Sequence, residues 1–265
     1  MFRFLFHRLA VGAALLLLPL ATGSVNAAEQ PTRELHLFLL VGQSNMAGRG
    51  EIDPADNAPL EGVWVWGAED RWMPAVEPYH WDKSMAGAGL AKSFAAAYRA
   101  AHPDVDVGLI PAACGGSALH DWAVGAYFEQ TRSHPWFDAT RRAKLAMTDG
   151  TLRGILWHQG ESDSHPGLAE NYEAGLRELL QRFRAALAAP TVPIVIGQTG
   201  RFTPDALSEP QQQVDAANRS IAAADAHVVW VSAKGLTAKP DGIHFETAAL
   251  RELGRRYYAA WATLP

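Results

Sequence analysis

The stretch LHLFLLVGQSNMAG, Leu35 to Gly48, changes abruptly from apolar to polar. Its first part, residues 35–41, is apolar on nearly every consecutive position, which is typical of a strand buried on both faces of a parallel sheet. Gly42 ends this run, and the polar residues QSN at 43–45 follow directly. We therefore expect a buried strand that passes into a loop carrying a polar cluster.

Further apolar runs of strand length recur along the chain, and helical patterns lie between them. Apolar residues at helical spacing occupy 172–187 and 250–261. A repeated order of strand, helix and strand implies right-handed crossovers and predicts a three-layer α/β/α sandwich with a central parallel sheet. The predicted strands after the first are Val107 to Ile110, Gly154 to Trp157, Pro193 to Gly197 and Val228 to Val231.

The N-terminal residues have the order of a secretory signal peptide. Basic residues come first, an apolar stretch covers 9–21, and small residues at 25–27 offer a cleavage point after Ala27. The apolar stretch is shorter than the roughly 20 residues that a membrane-spanning helix needs. We expect residues 1–27 to be a signal peptide, residues 28–265 to be a single domain, and the protein to be exported to the periplasm or the medium.

Charge and cysteine content exclude some classes of protein. The formal net charge is −5, and no segment rich in lysine and arginine stands out, so we expect no nucleic-acid partner. Cys114 is the only cysteine, which rules out a disulfide within this chain. We interpret it as a small buried hydrophobic residue beside glycines rather than as a nucleophile.

Ser44 is the candidate nucleophile, because the polar clusters GQSN, ACGGS and HQGESD each follow an apolar run, and ligands of such folds bind at the carboxyl ends of strands. A serine hydroxyl needs a base within hydrogen-bond reach. His244 is the candidate base, and Asp241, three residues earlier in DGIH, could orient its ring. The alternative for this pair is an Asp-Gly turn followed by an incidental surface histidine.

An acyl-transfer site also needs hydrogen-bond donors for the developing oxyanion. The glycines of ACGGS allow a backbone N–H, that of Gly116, to approach a ligand closely. The side-chain amide of Gln159 could be a further donor beside the N–H groups of Ser44 and Gly116. The alternatives are an ordinary glycine turn and an amide that caps a loop.

The four motifs GQSNMAGRG, GLIPAACGGSALHDW, LWHQGESD and DGIHF occur in this order from the first strand to the last helix. Together they resemble the SGNH hydrolase superfamily, and within it the sialate O-acetylesterase and acetylxylan esterase-like group, carbohydrate esterase family six. The wider superfamily has an asparagine in its third block where this chain has Gln159, as the carbohydrate esterase group does.

The resemblance implies a flavodoxin-like fold and the deacetylation of O-acetylated carbohydrates without a metal or other cofactor. It makes Ser44 the nucleophile, His244 the general base and Asp241 its orienting acid. It implies an oxyanion hole formed by the Ser44 N–H, Gly116 and Gln159. Glu161 is a second carboxylate that could orient the histidine instead, although the short separation of Asp241 from His244 favours Asp241.

Two hypotheses of other classes stay open at this point. The first is metal-dependent hydrolysis, since possible ligands crowd one loop: His158, Glu161, Asp163 and His165. The second is a carbohydrate-binding module without catalysis, in which tryptophans stack on sugar rings. The candidates are Trp64, Trp66, Trp72 and Trp81, in the irregular excursion that we predict for residues 51–84, and Trp122. Most of these are expected to be core residues instead.

Overall fold

The computed structural model describes residues 1, 30–200, 202 and 207–265. The signal-peptide prediction therefore falls almost entirely outside the described residues. Within them, the strands are β1 (Leu35–Gly42), β2 (Val63–Trp66), β3 (Trp72–Pro74), β4 (Asp106–Pro111), β5 (Gly150–His158), β6 (Ile194–Gly197) and β7 (Val228–Val231). The helices are α1 (Ser44–Ala47), α2 (Ala91–Ala101), α3 (Pro135–Ala146), α4 (Tyr172–Ala186), α5 (Glu209–Ala224) and α6 (Thr247–Trp261).

The strands form one sheet in the order β3-β2-β4-β1-β5-β6-β7. Neighbouring strands pair in parallel except at the edge, where β3 runs antiparallel to β2. The first strand of the sequence is thus the central one, paired with β4 on one side and β5 on the other. The prediction of a central parallel sheet is confirmed.

Helices cover both faces of the sheet, as the nearly continuous apolar run of β1 predicts. Leu37, Leu39 and Val41 join a core with residues of α3, α4 and α5. Phe38 and Leu40 point the other way and join a second core with residues of α2 and α6. Successive side chains of a strand alternate between faces, so each face of β1 requires its own apolar set. The three-layer α/β/α sandwich is confirmed.

All five predicted strands are present, but the prediction for residues 51–84 is wrong in part. This segment contains β2 and β3, which extend the sheet beyond β4. Both are very short, so their apolar pattern is too brief to be recognised as a strand. They are held by packing between aromatic side chains, since the rings of Trp66 and Trp72 meet edge to face with centroids 4.9 Å apart.

None of the helices in the described part of the chain combines the length and the apolar character that a membrane-spanning helix requires. The sheet order has a direct consequence for the polar clusters. Because β1, β4 and β5 are adjacent and parallel, the loops that follow them leave the same edge of the sheet. The cluster at 43–45, the glycines at 115–116 and the loop at 159–165 are therefore neighbours.

Candidate active site

Ser44 begins the short helix α1 directly after β1. The preceding turn requires a glycine, because Gly42 has a φ of +124° and a Cβ atom there would lie 2.1 Å from the backbone oxygen of His158. No other residue allows such a close approach between the ends of β1 and β5. The turn therefore fixes Ser44 at the edge of the sheet, where its side chain is 6% exposed.

Ser44, His244 and Asp241 form a continuous chain of hydrogen bonds. The Ser44 Oγ lies 3.0 Å from the Nε2 of His244. The Nδ1 of the same ring lies 2.8 Å from the Oδ2 of Asp241. Since an ionised carboxylate can only accept hydrogen bonds, Nδ1 carries a proton and donates it. Nε2 is then free to accept a proton from the serine, as a general base must be.

The loop that carries the histidine is ordered by Asp241 itself. Its Oδ1 accepts hydrogen bonds from the backbone N–H groups of Ile243 and His244, each at 2.9 Å. Partial burial raises the pKa of the Asp241 carboxyl, but the hydrogen bonds from His244 and Ile243 outweigh this effect and bring it to about 2. Asp241 is therefore an anion at every pH at which a histidine base would operate.

Two backbone N–H groups are positioned at this edge of the sheet without an acceptor. Those of Ser44 and Gly116 donate to no protein acceptor in the described part of the chain. Gly116 has a φ of +90°, a conformation that side chains other than glycine rarely adopt. Its carbonyl oxygen accepts a hydrogen bond from Ser162 Oγ at 3.0 Å, which fixes the orientation of the peptide.

Gln159 is fully buried and lies beside the glycine loop, but its amide is already engaged. The Nε2 donates to the backbone oxygen of Ser117 at 3.1 Å and to the carboxylate of Asp163. In this arrangement both amide hydrogens have acceptors. Gln159 thus ties the loop after β5 to the loop after β4, and direct donation to an oxyanion stays a prediction.

Glu161 lies close to Ser44 but does not make the hydrogen bond to the histidine ring, which Asp241 makes. Its Oε1 accepts a hydrogen bond from Asn45 Nδ2 at 2.6 Å, and its Oε2 is buried with no partner among the described residues. Burial raises the pKa of the Glu161 carboxyl. Burial favours the neutral form of a carboxylic acid, so the pKa values of Glu161 and Asp241 are shifted in opposite directions.

The four side chains of the metal hypothesis do not converge. Among the described residues, no group of three or more histidine, cysteine, aspartate and glutamate side chains is placed to hold one metal ion. His158 directs Nδ1 to the hydroxyl of Tyr257 at 2.9 Å, and burial lowers the pKa of His158 to about 3. Asp163 accepts hydrogen bonds from the Leu119 N–H and from Gln159.

The tryptophans of the binding-module hypothesis are mostly core residues. Trp64, Trp66, Trp72 and Trp122 are each 7% exposed or less. Trp81 is 40% exposed, and the guanidinium of Arg142 lies 4.7 Å from the centroid of its ring. Of the five candidates, Trp81 alone presents a large exposed surface. The interpretation of most of them as core residues is confirmed.

The reading of Cys114 as a small buried hydrophobic residue is also confirmed. It is a free, buried cysteine, and burial raises the pKa of its thiol to about 11. A nucleophilic cysteine must be available as a thiolate near neutral pH. Cys114 therefore contributes packing beneath the glycine loop rather than chemistry.

Two groups of residues around Ser44 were not predicted from the sequence. Gln43 accepts hydrogen bonds through Oε1 from the N–H groups of Gly160 and Ser162 at 3.5 and 3.3 Å. A buried ion pair joins Arg49 to Asp82 at 2.6 Å, and Asp82 also accepts the N–H of Gly115 at 2.8 Å. Arg49 lies within the GQSNMAGRG motif, so its sequence position indicated a place near Ser44. Asp82 lies in the excursion, outside every motif, and nothing in the sequence indicated its role.

The chain also matches known proteins in sequence and in fold. The family model described as carbohydrate esterase, sialic acid-specific acetylesterase, matches residues 34–263. A probable carbohydrate esterase of Arabidopsis thaliana, At4g34215, is 31% identical over an alignment of 251 residues that covers 85% of this chain and 90% of that protein. The crystal structure of the same plant protein superposes with a TM-score of 0.76 at 29% identity, covering 88% of this chain and 98% of that one.

More distant structures share the fold. The structure of NanS superposes with a TM-score of 0.69 at 17% identity, over 88% of this chain and 98% of that one. Axe2, an acetylxylan esterase from Geobacillus stearothermophilus, gives a TM-score of 0.52 at 14% identity, over 89% and 96% of the two chains. The matched residues, 34–263, include the whole sheet and all four motifs. These motifs contain Ser44 and His244. The chain therefore belongs to the carbohydrate esterase family of sialic acid-specific acetylesterases, and it is a carbohydrate acetylesterase.

Proposed function

We propose that this acetylesterase removes O-acetyl groups from carbohydrates through an acetyl-enzyme intermediate on Ser44. The observation that carries the proposal is the chain of hydrogen bonds from Ser44 Oγ to His244 Nε2, at 3.0 Å, and from His244 Nδ1 to Asp241, at 2.8 Å. A serine, a base and an orienting carboxylate in this order are the arrangement that activates a hydroxyl for attack on an ester.

In the first half of the proposed reaction, Ser44 Oγ attacks the acetyl carbonyl carbon while His244 Nε2 takes the hydroxyl proton. The ester C–O bond then breaks, and the histidine gives that proton to the sugar oxygen as it leaves. In the second half, His244 removes a proton from water, the resulting hydroxide attacks the acetyl-enzyme, and Ser44 recovers its proton as acetate leaves. Asp241 remains ionised and stabilises the imidazolium in both halves.

The oxyanion of each tetrahedral intermediate is proposed to bind the N–H groups of Ser44 and Gly116. The absence of a protein acceptor for either group, in the described residues, supports this role. Gln159 holds the glycine loop through Ser117, and a third donation from its amide is proposed only with a rearrangement of its present hydrogen bonds. Removal of one such donor typically costs on the order of 10²-fold in kcat.

The sugar is proposed to be an acetylated sialic acid or acetylated xylan. The matching family model is described as sialic acid-specific, while the structural neighbour Axe2 is described as an acetylxylan esterase. Exposed apolar side chains next to site residues are Ile243, directly before His244, and Trp81, directly before Asp82, which are 54 and 40% exposed. Flat and apolar side chains of this kind can pack against sugar rings.

The test is the release of acetate from a panel of substrates by the wild type and by Ser44→Ala. The panel contains p-nitrophenyl acetate, acetylated xylan, acetylated sialic acids and acetylated pectin fragments. The wild type is expected to release acetate from at least one sugar, and Ser44→Ala to lose on the order of 10³-fold or more in kcat. Retention of wild-type activity by Ser44→Ala would contradict the proposal.

We further propose that residues 1–27 are removed during export and that residues 28–265 form one catalytic domain. The order of basic, apolar and small residues in the first 27 positions supports export. One family match across residues 34–263 supports a single domain. Fractionation of the producing cells distinguishes release into the periplasm from release into the medium.

A further inference from the structure

We propose that Asn45 is a positioning residue that holds the histidine loop against the nucleophile, and that Glu161 acts on this loop through Asn45 rather than by contact with His244. The inference rests on the proposed function, because it assigns roles to two residues around the same Ser44. It goes beyond it in naming a second connection between the nucleophile and the base, separate from Asp241.

Asn45 follows Ser44 directly, and its side chain connects to the backbone on both sides of His244. The Oδ1 accepts the N–H of Phe245 at 3.2 Å, and the Nδ2 donates to the carbonyl oxygen of Ile243 at 3.2 Å. The residue is 0% exposed. One buried amide thus joins the residue beside the nucleophile to the peptides that flank the base, across about 200 positions of sequence.

The orientation of this amide is determined by its neighbours. Nδ2 faces two acceptors, the Ile243 carbonyl and Glu161 Oε1 at 2.6 Å, while Oδ1 faces a donor. A rotated amide would place its oxygen against both acceptors and its NH₂ against the Phe245 N–H. Glu161 therefore selects the orientation in which Asn45 can hold both flanking peptides.

The surroundings of Glu161 fit an acceptor better than an orienting anion. Its nearest histidine nitrogen is His158 Nε2, 3.9 Å away, which also has no hydrogen-bond partner among the described residues. The hydroxyl of Tyr257 donates to the Trp157 oxygen at 2.9 Å, so it accepts from His158 Nδ1 and leaves Nε2 without a proton. His158 accordingly supplies no positive charge to Glu161.

Loss of the Asn45 connection is expected to reduce the rate of the chemical step. A shift of about 1 Å between serine and histidine can cost on the order of 10²-fold in rate. Binding of a small ester should change little, because Asn45 is buried and has no exposed surface of its own. Asn45→Ala is therefore expected to lower kcat for p-nitrophenyl acetate by on the order of 10²-fold with KM within about threefold of wild type.

Gln198→Ala is the matched control. Gln198 is also a buried amide, 1% exposed, and it makes three hydrogen bonds, to Asp215, Ser232 and the Ala233 N–H. Its removal should lower the melting temperature by about as much as that of Asn45 and leave kcat near that of wild type. Equal kcat values for the two variants would show that Asn45 has only a structural role, and would overturn the proposal.

Asn45→Asp keeps the volume and removes the Nδ2 donor. It places an oxygen against Glu161 and the Ile243 carbonyl, so it should lose as much kcat as Asn45→Ala or more. This variant also carries the test if the alanine variant fails to fold. Retention of at least one third of wild-type kcat by Asn45→Asp would contradict the positioning role.

The route from Glu161 is tested by a double-mutant cycle. If Glu161 acts through Asn45, the double variant Asn45→Ala/Glu161→Ala should be no slower than the slower single variant, whereas independent effects would multiply. Glu161→Gln keeps an oxygen acceptor and should lose only a few-fold in kcat. Multiplying effects, or a loss in Glu161→Gln as large as in Asp241→Asn, would refute this part.

The result for Ser44→Ala separates failure of this inference from failure of the proposed function. If Ser44→Ala remains active, the proposed nucleophile is wrong and both proposals fail. If Ser44→Ala is inactive while the Asn45 variants match Gln198→Ala, the proposed function stands and only the positioning role is rejected.

Discussion

Asp241 is a partly exposed carboxylate that accepts several hydrogen bonds from its own loop. It is 41% exposed, and it accepts hydrogen bonds from two backbone N–H groups and from the His244 ring. These contacts lower its pKa to about 2 from the usual 3.8, so the interaction stabilises the folded loop above pH 3.8 and is lost as the pH falls towards 2. The carboxylate therefore stays ionised while a histidine base gains or loses its proton.

Because Asp241 stays ionised, the pH dependence of activity should reflect the protonation of His244 alone. The base must be neutral for attack, so kcat/KM should fall as the pH is lowered, and only one proton should be involved because Asp241 does not titrate in that range. A plot of log(kcat/KM) against pH for p-nitrophenyl acetate should therefore have an acidic limb of slope one. A slope of two would contradict the assignment of a single histidine base. A kcat/KM that does not change between acid and neutral pH would contradict it as well.

At the scale of elements, the site combines the loops that follow β1, β4 and β5 with the loop between β7 and α6, and side-chain contacts hold these loops together. The ion pair between Arg49 and Asp82 is one such contact, and both side chains are 4% exposed or less. Asp82 also binds the Gly115 N–H, one residue before the proposed oxyanion donor. The pair thus connects the loop after β1, the excursion and the loop after β4.

Removal of Asp82 should be strongly destabilising. Asp82→Ala leaves the buried Arg49 guanidinium without its counter-ion, which typically costs about 3 to 5 kcal/mol. Chemical denaturation should show this loss in the free energy of unfolding. Glu69→Ala is the control, because it breaks an exposed ion pair with Arg71, and such pairs contribute about 1 kcal/mol or less. Similar losses in the two variants would show that the buried pair has no special importance.

The parallel strands and the order of the motifs could be predicted from the sequence, because buried strands have continuous apolar runs and polar clusters at their ends. The strands β2 and β3 could not, since the sheet edge that they form is only three or four residues long in each strand. The contact of Ser44 with His244 agrees with the predicted convergence on one edge. The hydrogen bonds of the Gln43, Asn45 and Asp82 side chains could not be predicted from the spacing of residues, because their partners are backbone groups or residues far away in the sequence.

At the scale of the whole molecule, the sheet and the proposed catalytic residues lie within residues 35–244. The described elements begin with β1 at Leu35, and the family match begins at residue 34. A protein that begins at Ala28 should therefore have the same kcat and melting temperature as the protein isolated after export. Mass spectrometry of the exported protein should show an N-terminus at Ala28. An intact N-terminus, or loss of activity in the shortened protein, would contradict the prediction.

The central position of β1 assigns different degrees of freedom to the two reacting side chains. The strand that directly precedes Ser44 is paired along both edges and covered on both faces, so the turn that carries the serine is anchored in the middle of the sheet. His244 comes from a surface loop between β7 and α6, in which Ile243 is 54% exposed. In the proposed reaction the nucleophile therefore follows the part of the fold that is most costly to open, whereas the position of the base depends on the hydrogen bonds that Asp241 and Asn45 make with its loop.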